Sequence, residues 1–252
     1  MLLRLLARKE PVALELSQGG SFSVTPVQAY NVVGELPGRE KPEEVVIVGG
    51  HLDSGDLGTG ATDNATGSAV AVEVLRAFQA TGLKPRRTLR VILWSGEEQG
   101  LLGSRAYVEA HKADMGAIQA VLVGEMGMGM VKGFTLQGRE ACRGLMAQAT
   151  TPLNDLGVKE LSLHSMNSTD HAPFDRAGVP AFAAIQVPVD YFLGTHHSQM
   201  DYPDHLVPDQ LVQGAQAMAV TAWELAEMDA RLPHGRLPAP PMAGAINPQG
   251  RP

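Results

Sequence analysis

The run Glu44-Val-Val-Ile-Val48, which continues as Gly49-Gly-His-Leu-Asp53, is the stretch that decides the fold. An unbroken apolar run of this length, rich in β-branched residues and closed by two glycines, is typical of a strand that is buried on both faces of a parallel sheet. Comparable runs occupy residues 88–94 and 118–123. We expect these runs to form neighbouring central strands.

Segments with helical periodicity separate the apolar runs. Strands that alternate with helices form parallel sheets whose crossover helices cover both faces. The pattern therefore predicts an α/β fold, built on a doubly wound, mostly parallel mixed sheet with helices on both faces. The expected helices cover residues 67–79, 101–110, 142–149 and 209–229, and further strands are expected at 12–16, 28–33 and 180–185.

The length of 252 residues suits one α/β domain with a full core. We expect residues 1–231 to form this single domain. Residues 232–252 contain six prolines and almost no apolar periodicity. This composition predicts an extended or disordered tail.

Composition and charge exclude several classes of partner. The net charge is −7 and no basic block is present, whereas nucleic-acid binding requires a basic patch. No apolar run is long enough to span a bilayer. Arginine interrupts the apolar stretch within residues 1–10, so we do not expect a signal peptide there. We therefore expect no nucleic-acid and no membrane partner, and the compartment stays unknown from the residues alone.

The chain has one cysteine, Cys142. A single thiol can form neither a disulfide within the chain nor a cluster of thiolate ligands. Any bound metal ion must therefore be held by histidine and carboxylate side chains. We interpret Cys142 as a small core residue.

Polar side chains that can bind metal ions follow the expected central strands. Ligands bind to open α/β sheets at the carboxyl ends of the strands. Taken alone, a histidine after a strand is usually structural and a pair of glutamates usually faces solvent. Their convergence at one sheet edge favours a functional site instead. The candidates are His51 and Asp53 after the first run, Glu97 and Glu98 after the second, Glu125 after the third, Asp63 in a glycine-rich loop, and His196, His197 and Asp201 late in the chain.

These residues lie in motifs that resemble the M28 zinc peptidases, and within them the carboxypeptidase Q type. The resemblance runs from about residue 30 to residue 228 and implies a catalytic domain with two co-catalytic zinc ions, of the zinc-exopeptidase, phosphorylase/hydrolase-like fold. It also implies an extracytoplasmic location. The matching motifs are Gly-Gly-His-Leu-Asp-Ser at 49–54, Ala-Thr-Asp-Asn-Ala-Thr-Gly at 61–67, Trp-Ser-Gly-Glu-Glu-Gln-Gly-Leu-Leu-Gly-Ser at 94–104, Ser-Thr-Asp-His-Ala-Pro-Phe at 168–174 and His-His-Ser-Gln-Met-Asp at 196–201.

The resemblance implies a set of zinc ligands among the candidates. Neutral imidazole nitrogens and carboxylate oxygens are ordinary zinc ligands, and one carboxylate can join two cations. The expected ligands are His51 and Glu125 on one ion, Glu98 and His197 on the other, and Asp63 bridging both.

Other carboxylates are expected to act beside the ligands. Two Zn²⁺ ions with carboxylate ligands keep an excess of positive charge, which favours a metal-bridging hydroxide as the nucleophile. Glu97, next to the ligand Glu98, is the expected general base. Asp53 is expected to orient the ring of His51, and Asp201 to contact His197.

This chain departs from the family pattern at two points. Many relatives have aspartate in place of Glu125, and those closest to the carboxypeptidase Q type carry an aspartate at the position of Gly127. The adjacent histidines are also ambiguous. The spacing to Asp201 favours His197 as the ligand, which leaves His196 either to contact substrate or to pack.

Weaker candidates surround this set. Asp170 and His171 match a family motif, and His171 could support the site, but neither is expected to be a ligand. Tyr191 could donate a hydrogen bond to a developing oxyanion, but we expect it rather to be a packed core residue.

We therefore expect a metallo-exopeptidase that hydrolyses terminal peptide bonds of short peptides or dipeptides. The acidic side chains not used as ligands, Glu97 and Asp53, favour recognition of a free amino terminus. Two alternatives remain: a single-zinc enzyme similar to glutaminyl cyclases, and a non-catalytic binding module of the same fold. A homodimer also stays open.

Overall fold

The computed structural model describes residues 2–21, 25–55, 57–125 and 127–235. A seven-stranded sheet forms its centre, with the strand order β1-β3-β2-β4-β7-β5-β6. The strands are β1 Val32–Leu36, β2 Lys41–His51, β3 Arg87–Trp94, β4 Ile118–Val123, β5 Val131–Thr135, β6 Glu160–Ser162 and β7 Ala181–Gln186. The α-helices are α1 Leu2–Ala7, α2 Thr66–Thr81, α3 Leu102–Ala110, α4 Arg143–Thr150, α5 His171–Arg176 and α6 Pro208–Glu227.

Strand β2 lies between β3 and β4 and is parallel to both. All of its residues from Val45 to His51 are buried, as the unbroken apolar run predicts. The register pairs His51 with Trp94 and Gly49 with Val123. The carboxyl ends of the three strands therefore meet at one edge of the sheet.

Alternate residues of the central strands face two different cores. Val46 and Val48 pack into the larger core with residues of α2, α4 and α6. Val45 and Ile47 pack into the smaller core with Tyr107 of α3 and Phe174 of α5. The helices thus cover both faces of the sheet, and the predicted α/β fold is confirmed.

Two strands run antiparallel to one neighbour: the edge strand β1 to β3, and β5 to β7. The other edge strand, β6, is parallel to β5. The sequence pattern did not predict β5 or the three-residue β6. It also predicted a strand at 12–16, which is wrong, because these residues form no regular structure and Leu16 is 90% exposed. An apolar alternation becomes a strand only where a partner strand accepts its hydrogen bonds.

The packed domain continues beyond residue 231, where the tail was expected to begin. Leu232 is buried in the larger core. Its amide donates to Oε1 of Gln119 at 3.3 Å, and the amide of Gly235 donates to the carbonyl of Gly178 at 3.0 Å. The remainder of the expected tail, residues 236–252, lies outside the described residues.

Across the described ranges, no helix combines the length and the apolar character that crossing a membrane requires.

Candidate metal centre

Five segments bring their polar side chains to the carboxyl edge of the sheet. Because β2, β3 and β4 are parallel, their ends deliver side chains to the same place. Two turns outside the sheet, Ala61–Ala65 and Tyr191–Thr195, contribute further residues. The side chains so assembled are His51 at the end of β2, Glu97 and Glu98 after β3, Glu125 after β4, Asp63 in the first turn, and His196 and His197 after the second.

The first half of the centre surrounds the ring of His51. Its Nε2 lies 3.2 Å from Oδ1 of Asp63 and 3.4 Å from Oε1 of Glu125. The His51 ring is fully buried. An imidazole nitrogen and two carboxylate oxygens therefore converge at a largely buried position.

The second half surrounds the ring of His197. Its Nε2 lies 3.0 Å from Oε2 of Glu98 and 3.6 Å from Oδ2 of Asp63. Asp63 thus faces His51 with one carboxylate oxygen and His197 with the other. The expected ligands are all brought together, and they divide into two groups that share Asp63.

Several atoms of this cluster are buried without a hydrogen-bond partner among the described residues. They include Nε2 of His51, Oδ2 of Asp63 and Oε1 of Glu98. Leaving a buried polar atom unpaired is costly, and all three atoms belong to expected ligands. A cation that accepts nitrogen and oxygen ligands would satisfy them, and zinc accepts this donor set. The residues therefore fit a metal ion.

The pKa of the His51 ring reflects the carboxylates that surround it. Burial lowers the pKa of this ring, but contact with Asp63 and Glu125 raises the pKa overall, to about 12. Without a metal ion the ring would hold a proton between the carboxylates. A metal ion must displace that proton, so zinc binding here is coupled to proton release.

Asp53 contacts the centre differently from the expectation. The Nδ1 atom of His51 lies 2.8 Å from the backbone carbonyl of Asp53, whereas the carboxylate Oδ1 lies 3.7 Å away. The two carboxylate oxygens instead accept the backbone N–H groups of Glu97 and Glu98, each at 3.1 Å. The main chain of Asp53 orients the ring, and its carboxylate holds the turn after β3.

The carboxylate of Asp201 likewise accepts hydrogen bonds from backbone N–H groups rather than contacting the ring of His197. Its Oδ1 accepts the N–H of Thr62 at 2.7 Å and its Oδ2 accepts the N–H of Asp63 at 2.9 Å. Asp201 therefore positions the turn that carries the shared carboxylate of Asp63.

Glu97 is buried beside the first group. A carboxylate oxygen of Glu97 and one ligand atom each from His51 and Glu125 lie within 4.8 Å of one another. Burial, and then repulsion by Glu125, raise the pKa of Glu97 to about 8 in the absence of cations. The geometry places the carboxyl group of Glu97 next to the candidate ligands.

Two residues that hold Glu125 have no role predicted from the sequence. Thr169 donates its hydroxyl to Oε2 of Glu125 at 2.8 Å, and Asn64 donates its side-chain amide to the same oxygen at 3.2 Å. Both residues lie inside motifs that the sequence singled out. Their function depends on a contact between distant segments, so no local signal could identify it.

Gly127 has no room for a side chain with Tyr191 in its present place. A Cβ atom at residue 127 would lie 2.3 Å from the ring of Tyr191, and the φ angle is +64°. Tyr191 is itself buried, and burial and nearby carboxylates raise the pKa of its hydroxyl. An aspartate at this position would clash with that ring, which leaves Glu125 as the carboxylate that follows β4.

His196 stacks on His197, with ring centroids 3.8 Å apart. Its Nε2 lies 3.9 Å from Oδ2 of Asp63, slightly farther than that of His197. The shorter contacts favour His197 as the ligand. His196 remains close enough to contact a bound substrate.

The motif residues Asp170 and His171 lie behind the centre. Asp170 accepts a hydrogen bond from the hydroxyl of Ser104. His171 is fully buried, and burial lowers its pKa to about 3. Neither residue belongs to the two candidate ligand groups.

A cleft of about 500 Å³ opens over the centre. Glu97, Glu98, Glu125, His196 and His197 line its floor and wall, and Leu101, Met166 and Phe192 contribute apolar surface. A volume of this size suits a ligand of a few residues. Arg105, Asn167 and Ser168 also line it.

Comparison with known proteins gives one consistent family. The sequence model described as "Peptidase family M28" matches residues 31–222. Carboxypeptidase Q of Rattus norvegicus is 33% identical over 233 residues, which cover 92% of this chain and 49% of that protein. The chain thus spans about half the length of the curated relatives it matches.

Solved structures show the same similarity. A peptidase M28 precursor from Shewanella amazonensis SB2B superposes with a TM-score of 0.76 at 31% identity, covering 84% of this chain and 47% of that one. A zinc aminopeptidase from Bacillus subtilis gives a TM-score of 0.66 at 23% identity, covering 81% of this chain and 52% of that one. At this lower identity, the similarity to the Bacillus subtilis enzyme shows a shared fold.

Proposed function

This chain belongs to peptidase family M28, and from that premise we propose that it is a two-zinc exopeptidase acting on short peptides or dipeptides. The observation that carries the proposal is the position of the two carboxylate oxygens of Asp63, which face different histidines. One of its oxygens lies 3.2 Å from Nε2 of His51 and the other 3.6 Å from Nε2 of His197. A carboxylate in this position can serve two cations at once.

In this proposal His51 and Glu125 hold one zinc ion, Glu98 and His197 hold the second, and Asp63 bridges them. When bound, zinc ions supply Lewis-acid polarisation of a peptide carbonyl and make water a better nucleophile. The similarity to zinc-dependent relatives and the nitrogen and oxygen donor set both support zinc as the metal.

Glu97 is the proposed general base. It is buried at the rim of the cleft beside the ligand groups, and its own backbone N–H is held by Asp53. Its carboxylate would take a proton from the attacking water and pass it to the leaving amine. Asp53 contributes by holding Glu97 and Glu98 in place.

The cleft supports action on chain ends rather than within folded proteins. Its size suits a few residues, and its charged floor lies at the converging ends of several segments. The carboxylate of Glu97 lines it and would attract a protonated amino terminus, whereas that of Asp53 is occupied by backbone N–H groups. The extracytoplasmic location implied by the family is part of the same proposal.

The test combines metal analysis with a substrate panel. Purified protein loaded with zinc is analysed for metal per chain and assayed with dipeptides, aminoacyl anilides, and one peptide with its amino terminus free and then acetylated. We expect two zinc ions per chain and hydrolysis of the free peptides.

Other outcomes would identify the alternatives. One zinc ion per chain with ring closure of an amino-terminal glutamine would indicate a cyclase. Two zinc ions without turnover of any substrate would indicate a binding module. Equal cleavage of free and acetylated peptides would contradict recognition of the amino terminus.

A further inference from the structure

Arg105 is the one arginine or lysine among the described residues that line the cleft over the candidate centre. The other charged residues on that lining are the glutamates Glu97, Glu98 and Glu125. Its guanidinium is a permanent cation that can stabilise a negatively charged part of a ligand.

Arg105 is exposed and forms no ion pair or side-chain hydrogen bond with any residue in the described ranges. Most other arginines of the described chain have carboxylate partners, for example Arg76 with Glu73 and Arg139 with Asp175. The guanidinium of Arg105 is therefore available to a ligand without breaking an existing contact.

Two backbone hydrogen bonds connect Arg105 to the proposed general base. The N–H of Leu101 donates to the carbonyl of Glu97 at 2.9 Å, and the N–H of Arg105 donates to the carbonyl of Leu101 at 3.0 Å. Arg105 thus lies in the first turn of α3, close in the chain to Glu97. Its backbone is therefore held near the backbone of the proposed general base.

We infer that Arg105 is the residue that binds the free α-carboxylate of a dipeptide or short peptide substrate. The inference rests on the proposed exopeptidase function and names a residue that recognises its substrate. A guanidinium can donate two parallel hydrogen bonds to a carboxylate. Arg105 is the arginine or lysine among the described lining residues that could receive this group.

Binding measured without turnover tests this recognition directly. The zinc-loaded Glu97→Gln protein is titrated by calorimetry with Ala-Leu and with Ala-Leu amide. We expect the free acid to bind tighter than the amide by on the order of tenfold. Adding Arg105→Gln should remove this preference by weakening the acid alone, and Arg105→Lys should restore part of it.

Arg76→Gln serves as the matched control, because Arg76 is an exposed arginine on α2 outside the cleft. It should leave both affinities unchanged. In the protein with Glu97 intact, Arg105→Gln should raise KM for the free acid and leave kcat nearly constant, as loss of uniform binding does.

The possible results distinguish failure of recognition by Arg105 from failure of the proposed peptidase function. If the preference for the free acid survives in Arg105→Gln, or if neither dipeptide binds, the inference is wrong. If the preference disappears in Arg105→Gln but the protein with Glu97 intact hydrolyses no peptide, the recognition holds and the proposed peptidase function fails.

Discussion

At the scale of single residues, the carboxylate of Asp63 has the most connections within the centre. Its oxygens face His51 on one side and His197 on the other, and its backbone N–H is held by Asp201. Removal of a side chain shared by two ligand groups should weaken metal binding at both sites. Removal of a ligand that belongs to one group should weaken binding mainly at that site.

Asp63→Ala is therefore expected to lower zinc occupancy of both sites, whereas His51→Ala or His197→Ala should mainly lower one. Without the shared carboxylate, two cations would lie close together with less negative charge between them. Metal per chain, measured by mass spectrometry after dialysis, is the readout. Asp204→Ala, at an exposed aspartate, is the control. Full occupancy in Asp63→Ala would exclude the bridging role.

Glu97→Gln is expected to abolish turnover while both zinc ions remain bound. The amide cannot accept the proton of the attacking water, and loss of a general base costs on the order of 10²–10⁴-fold in rate. The rate and the metal content are measured on the same sample. Glu109→Gln, at an exposed glutamate of α3, should change neither. Normal turnover in Glu97→Gln with metals bound would assign the base to another residue.

At the scale of elements, the turn after β3 is held by a carboxylate from the segment after β2. Both oxygens of Asp53 accept N–H groups from this turn, at Glu97 and Glu98. The same arrangement recurs at the turn Ala61–Ala65, whose N–H groups at Thr62 and Asp63 are accepted by Asp201. Carboxylates outside the ligand set thus position the two turns that carry much of the centre.

Asp53→Asn is expected to disturb the turn after β3 although Asp53 binds no metal in our proposal. One acceptor oxygen becomes an amide donor that faces a backbone N–H, so a hydrogen bond is lost. We expect a loss of about 1–3 kcal/mol in the free energy of unfolding and a fall of about 10–100-fold in activity or zinc affinity. Denaturation curves and zinc titrations measure these effects.

The control for this change is Asp114→Asn, at an exposed aspartate, which should be neutral. If Asp53→Asn retained both normal stability and normal zinc affinity, the carboxylate would not be holding the turn.

At the scale of the whole molecule, the last described residues close the larger core. Leu232 is 1% exposed, and the chain around it is tied to Gln119 and Gly178. The packed domain therefore includes residues that the proline-rich composition assigns to a tail.

Leu232→Ala is expected to destabilise the protein by about 2–5 kcal/mol, because it removes buried methyl groups and leaves a cavity. Leu16→Ala, at a leucine that is 90% exposed, should change stability by less than about 0.5 kcal/mol. Chemical denaturation of both variants gives the comparison. Equal stability of Leu232→Ala and the parent protein would show that the core ends before this residue.

The sequence by itself determined the central architecture and the candidate residues. The apolar runs of β2, β3 and β4 carry a local signal, because a strand buried on both faces must be apolar throughout. The residues that follow them must then meet at one edge, because parallel strands end together. His51, Glu97, Glu98 and Glu125 could be selected for this reason before any contact was known.

Only the tertiary structure decided which atoms meet. The carbonyl of Asp53, rather than its carboxylate, contacts His51, and Thr169 and Asn64 hold Glu125. These contacts join segments far apart in the chain, and their lengths depend on strand register and on how closely helices approach the sheet. The burial of Leu232 has the same origin, since a residue becomes part of a core through the surfaces that pack against it rather than through its own neighbours in sequence.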